Sequence, residues 1–203
     1  MTIYLVDLEP IETRYTKQWQ DYLPEQLRKS TMKDVVVISG PADLPSAPTP
    51  GMFLNFSATN IYKSVQIQHI AELFSNNKIK DGDYFLYTDA WNPTVIQLRY
   101  MAELLGIKIT IGGLWHAGSY DKWDGLGRII GDAEWVRLSE RAMFEVYDHN
   151  FYATNFHIEL FAEAFANNEF AGGWISKQKN NGKVVRTGWP MEYLHNSLDD
   201  YKN

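Results

Sequence analysis

Cysteine is absent from the 203-residue chain, which excludes disulfides, thiolate nucleophiles and cysteine-ligated metals together and fits a cytoplasmic protein. No stretch approaches ~18 uninterrupted apolar residues, so no membrane span is expected. Met1-Thr2-Ile3-Tyr4-Leu5-Val6 enters an apolar run with no basic leader, unlike a signal peptide. Cationic side chains are not in excess. Nineteen Lys and Arg face twenty-five Asp and Glu, and the net charge of −6 does not favour a polyanionic partner, although a local basic patch is compatible with it. The phosphate-binding glycine signatures are missing as well. The first apolar run exits into Leu8-Glu9-Pro10-Ile11-Glu12, bulky and acidic where a dinucleotide or P-loop fold needs glycine. His157-Ile158-Glu159 lacks the spacing of a zinc site.

What is present is 45% hydrophobic residues, enough for one sizeable core. Strand and helix patterns alternate along the chain. Ile3–Val6, Val35–Ile38, Tyr84–Tyr87, Ile107–Ile111, Phe151–Ala153 and Lys183–Thr187 read as short buried strands, and Met52-Phe53-Leu54 as another apolar run. Helices are expected over Arg14 to about Lys29 (passing or kinking at Pro24), Ile61–Phe74, Pro93–Leu105, Asp132 to about Tyr147, and Asn155–Phe165. Asn92 is placed to cap the helix that opens at Pro93, and Gly106 to stop it. Residues 41–50 carry four prolines and read as a loop, and Gly112 to Gly131 as a long irregular stretch. This alternation predicts an α/β fold with a doubly wound, mostly parallel sheet, because each return crosses the sheet. Ligands of such sheets bind beyond the carboxyl ends of the strands. The exits at Asp7, Ser39, Asn55, Asp89, His116 and Asn155 are therefore expected on one edge.

Two of these exits carry candidate chemistry. His116 follows a buried run and lies among glycines, which let a backbone approach a ligand, and its imidazole suits orienting or deprotonating a hydroxyl. The same placement also suits a histidine bonded to backbone inside a packed loop. Asp89 has the same position, with helix capping as its structural alternative. Asp7 reads as structural or ligand-binding. Asn155 and His157 read as a helix start or as part of the site, and the Lys177, Lys179, Lys183, Arg186 group as a solvated face.

Three segments narrow the choice. Leu114-Trp115-His116-Ala117-Gly118-Ser119-Tyr120-Asp121 resembles the His-Ala-Gly-Ser-Tyr-Asp stretch of a group of bacterial and phage glycosyltransferases with the GT-B fold. Phe151 to His157 with Glu159-Leu160-Phe161 resembles the strand and helix that close the amino-terminal domain of that group. Val184 to Met191 resembles the Val-Thr-Gly-Phe-Pro segment before its crossover, and Asp83 to Pro93 fits its third αβ unit. The resemblance implies that residues 1–187 form a Rossmann-like acceptor-side domain, with 188–203 beginning the crossover to a second domain not contained in the chain. It implies transfer of a sugar from a nucleotide-sugar substrate to an acceptor hydroxyl, with no cofactor and no metal, and an acceptor that is a glycan, a lipid or hydroxymethylated phage DNA. His116 and Asp89 are then the expected catalytic residues. Asp7, Trp91, Gly113, Ser119, Tyr120, Asp121 and Asn155 are expected to bind substrate. The alternative is a non-enzymatic Rossmann-like module that binds a nucleotide or a partner. A flavodoxin-like or hydrolase reading is disfavoured by the missing phosphate loop and nucleophile elbow.

Overall fold

Among the described residues, six strands form one sheet in which every adjacent pair is parallel. They are β1 (Thr2–Val6), β2 (Asp34–Ile38), β3 (Tyr84–Tyr87), β4 (Thr110–Trp115), β5 (His149–Tyr152) and β6 (Val184–Arg186), in the order β2-β1-β3-β4-β5-β6. The helices are α1 (Tyr15–Thr31), α2 (Phe56–Ser75), α3 (Thr94–Leu104), α4 (Gly125–Ile129), α5 (Glu134–Val146), α6 (Asn155–Phe165) and α7 (Ala171–Asn180). This computed structural model describes residues 1–11, 15–45, 47–50, 54–131, 133–166 and 171–189. The α/β, doubly wound, parallel architecture is the one expected from the alternation of patterns. No helix among the described residues is long and apolar enough to cross a membrane.

The sheet separates two cores. On one face Leu23 and Leu27 of α1 cover Ile3, Leu5, Val35 and Val37. The larger core lies on the other face, where α2, α3, α5, α6 and α7 bury Ile70, Leu98, Phe144, Phe161 and Trp174 against Phe85, Tyr87, Ile111 and Tyr152. Each such side chain contributes about 1.5–3 kcal/mol by leaving water. The buried stripes follow from spacing. Tyr62, Gln66, Ile70 and Phe74 recur every fourth residue on α2, and Val95, Leu98 and Ala102 line α3.

Local chemistry sets the ends. Asn55 caps α2, its side chain accepting from the Ala58 N–H, so it serves the helix rather than a strand exit. Asn92 Oδ1 accepts from both the N–H and the hydroxyl of Thr94 and so supports the start of α3, while Gly106, at φ 68°, turns the chain away after it. α1 continues through the buried Pro24.

Several boundaries differ from expectation. The fourth strand runs over Thr110–Trp115, three residues later than the Ile107–Ile111 run suggested, so Gly112 and Gly113 are strand rather than loop. Aromatic packing explains the shift. A Cβ on Gly112 would run into Tyr84 and Phe151, and one on Gly113 would meet the Tyr147 ring at 2.6 Å. The stretch expected to be irregular also holds the short helix α4, capped by Asp124, whose side chain accepts from the Leu126 N–H. α7 was not expected, and it carries Lys177 and Lys179 in its last turn. Leu54 lies in a bend outside any strand, while Met52, Phe53, the expected cap Asp132 and residues 190–203 lie outside the described residues.

Candidate functional site

Because all strands are parallel, the residues that follow β1, β2, β3, β4 and β5 share one edge of the sheet. The chain passes from β1 outward to β2 and then returns over it to β3, so the crossover switches direction between β1 and β3. A cavity of about 710 Å³ opens at that edge, walled by residues after β1 (Leu8), β3 (Asp89) and β4 (His116) and by the first half of α2. Its position is the one that crossover geometry leaves concave.

Asp89 forms one wall. Its Oδ1 accepts from the Trp91 N–H at 3.0 Å, and its Oδ2 pairs with Lys63 Nζ at 3.0 Å. Lys63 also donates to the Trp91 carbonyl at 2.6 Å, which fixes the ammonium from two directions. The side chains are 19% and 14% exposed, so the pair is largely shielded yet opens to the cavity. The Trp91 indole lies across the same wall and donates to Glu140 Oε1 at 3.0 Å.

His116 is held by both ring nitrogens. Nε2 lies 2.5 Å from the Thr88 carbonyl oxygen, and Nδ1 lies 2.5 Å from the Tyr15 hydroxyl. Around it, the rings of Tyr15, Trp19 and Trp189 have centroids 5.6, 5.0 and 4.8 Å from the imidazole. Tyr15, His116 and Trp189 line the cavity, and Trp135 faces them from α5.

The remaining expected site residues lie elsewhere. Ser119 is buried, giving its N–H and hydroxyl to Glu140 at 2.6 and 2.8 Å. Burial raises the Glu140 carboxyl above the usual range, against those bonds and the indole, which lower it. That carboxylate ties the loop after β4 and Trp91 to α5. Tyr120 is also buried and meets His157 Nε2 at 2.6 Å, and burial pushes the imidazole of His157 down to about 4. Asp121 accepts from the Trp123 N–H within its loop. Asn155 opens α6 behind the cap Thr154 and is exposed, accepting from Lys179 at 3.4 Å. Gly113 is covered by Tyr147.

Asp7 is buried under Ser39, Tyr62 and Gln66, whose donors lie 2.5, 2.7 and 2.9 Å from its oxygens. Burial pushes its carboxyl up to about 6, against these hydrogen bonds. Of the nine expected residues, the cavity wall contains Asp89, Trp91 and His116. Lys63, Tyr15, Trp135 and Trp189 join them unforeseen. One signal for Lys63 was present, since Phe56, Thr59, Asn60 and Lys63 recur at helical spacing beside the buried stripe of α2, and all four line the cavity.

Fold and cavity together define a parallel α/β domain with a concave site at its switch point. No protein-family model matches the chain, and no curated protein matches it. The functional reading therefore rests on the residues of the cavity.

Proposed function

We propose that this domain is the acceptor side of a glycosyltransferase, in which an acceptor hydroxyl held in the cavity attacks the anomeric carbon of a nucleotide sugar. The observation that carries this reading is the Lys63–Asp89 pair in a wall that also bears indoles. A carboxylate with lone pairs beyond its two internal bonds, next to an ammonium with a third N–H, suits a pair of neighbouring hydroxyls. Aromatic faces cover the C–H surface that a sugar ring presents between its hydroxyls, and Trp91, Trp135 and Trp189 supply them. The segment from Leu114 to Asp121, which resembles a glycosyltransferase motif, leads out of the strand that places His116 here.

In the transfer, the acceptor oxygen bonds to the anomeric carbon as the bond to the diphosphate breaks, and the electron pair leaves with the diphosphate. Positioning of the acceptor is the contribution of this domain, and stabilisation of the leaving diphosphate belongs to a second domain. The test is saturation-transfer NMR of the chain with a saccharide panel, alongside detection of nucleoside diphosphate release from nucleotide sugars by the full-length protein. Saccharide binding is expected, weakened about tenfold or more by Asp89→Asn, which replaces a charged acceptor with a neutral one. Absence of binding at millimolar saccharide, or binding indifferent to Asp89, overturns the proposal.

A further inference from the structure

We infer that the proton-handling atom presented to the cavity is the Tyr15 hydroxyl oxygen, with His116 acting behind it as proton acceptor and the Thr88 carbonyl as the orienting group. This rests on the proposed glycosyl transfer for its reaction, but the hydrogen-bond chain stands on geometry alone. A carbonyl oxygen only accepts, so the Nε2 facing Thr88 carries the proton of the neutral imidazole. Nδ1 is then the lone-pair nitrogen, and the Tyr15 O–H 2.5 Å away is its donor. A substrate hydroxyl reaching for His116 would have to displace one of these partners. Trp19 (2% exposed) and Trp189 pack edge-on against the ring and hold it on these two partners. Tyr15 lines the cavity beside it and holds the end of the chain opposite the Thr88 carbonyl.

The acceptor hydroxyl passes its proton to the Tyr15 oxygen while the Tyr15 proton moves to His116 Nδ1. The acceptor oxygen bonds to the anomeric carbon, and the diphosphate leaves with the electron pair. The resulting imidazolium keeps Nε2–H on the Thr88 carbonyl and points Nδ1–H back at Tyr15. It returns to neutral by losing a proton to solvent once products depart. The carbonyl does for this imidazole what an orienting carboxylate does in a hydroxyl–imidazole–carboxylate triad, fixing the tautomer and stabilising the cation.

Two measurements test the pair. Long-range ¹⁵N–¹H correlation spectra of the labelled chain should show His116 with Nε2 protonated and Nδ1 as a hydrogen-bonded imine nitrogen. Tyr15→Phe should move only the Nδ1 resonance, toward that of an unbonded imine, and Asp89→Asn should move neither. A protonated Nδ1, or an Nδ1 resonance unchanged in Tyr15→Phe, overturns the inference whatever becomes of the transferase reading. In the transfer assay Tyr15→Phe should lower kcat by about 10²-fold with KM little changed. His116→Gln, which retains an N–H for the Thr88 carbonyl but has no basic nitrogen, should match that loss. Normal kcat in Tyr15→Phe overturns the relay and leaves the transferase reading standing. If the wild-type protein transfers no sugar, the reading and the relay fall together, and a correct spectrum then reports a structural clasp.

Discussion

Asp7 shows how one buried carboxyl couples stability to pH. Its group is about 6 in the fold against 3.8 unperturbed, so the folded state holds its proton more tightly than the unfolded chain does. The stability this provides is complete below about 3.8 and is lost as pH rises through about 6. About two pKa units correspond to roughly 3 kcal/mol at most. Asp7→Asn removes the charge and keeps the shape, and Ser39 can turn its hydroxyl to accept from the new amide. The variant is therefore expected to gain on the wild type between pH 4 and 6.5, by up to about 3 kcal/mol, and to hold that advantage at higher pH. Urea midpoints of both proteins across that range check it, and parallel pH curves would contradict it. The difference between the two proteins is the informative quantity, because His157 works in the other direction. Held down to about 4, its contribution is present above about 6.5 and lost as pH falls through 4. None of this was visible in the sequence. Asp7 reads as a strand-end carboxylate, while its partners Ser39, Tyr62 and Gln66 lie 32, 55 and 59 residues further along.

Among the elements, β4 is where packing and site meet. Gly113 leaves room for Tyr147, whose hydroxyl donates to the Ala90 carbonyl at 3.0 Å, between Asp89 and Trp91. Gly113→Ala is expected to cost about 1–3 kcal/mol by overpacking and to weaken saccharide binding by displacing that turn. Gly173→Ala, in α7 with open space around it, should instead stabilise by roughly 0.5–1 kcal/mol. Thermal unfolding of the two variants reads the opposite signs. The same strand marks the limit of sequence reading. Helices with a sustained apolar stripe, such as α2 and α3, were legible because their period is local. β4 was displaced because Ile107-Lys108-Ile109 has better strand propensity than Gly112-Gly113, yet pairing with β3 selects Thr110 opposite Tyr84. α4 is five residues with two glycines and has no periodicity to find. At the site, Asp89 and His116 were legible because strand exits converge by topology. Lys63, Tyr15 and Trp135 come from helices, whose rotation about their axes is set only by packing.

For the whole molecule, net charge bears on which acceptor the proposed transfer would use. At −6 overall, with Asp89 and Asp124 in the cavity wall, the domain presents little to a phosphate backbone, although Lys122 lies over the exposed Trp123 ring at 5.2 Å. Fluorescence anisotropy with duplex DNA at ~50 and ~200 mM salt should show no steep loss of binding between the two, which favours a glycan or lipid acceptor. Tight binding at the lower salt that collapses at the higher would restore DNA. The strand order has a further consequence, in time rather than space. β1 lies inside the sheet, with Ile3 beside Val35 on one side and Tyr84 on the other. No pairing among the described strands is made by a hairpin, so each ladder closes only after a helical crossover has been traversed. The apolar β1 is synthesised before both of its neighbours and keeps one edge unpaired until Tyr84 to Tyr87 have left the ribosome. The entropy of closing that long loop falls on the folding rate rather than on the final stability, so this domain is expected to fold more slowly than a helical bundle of equal length.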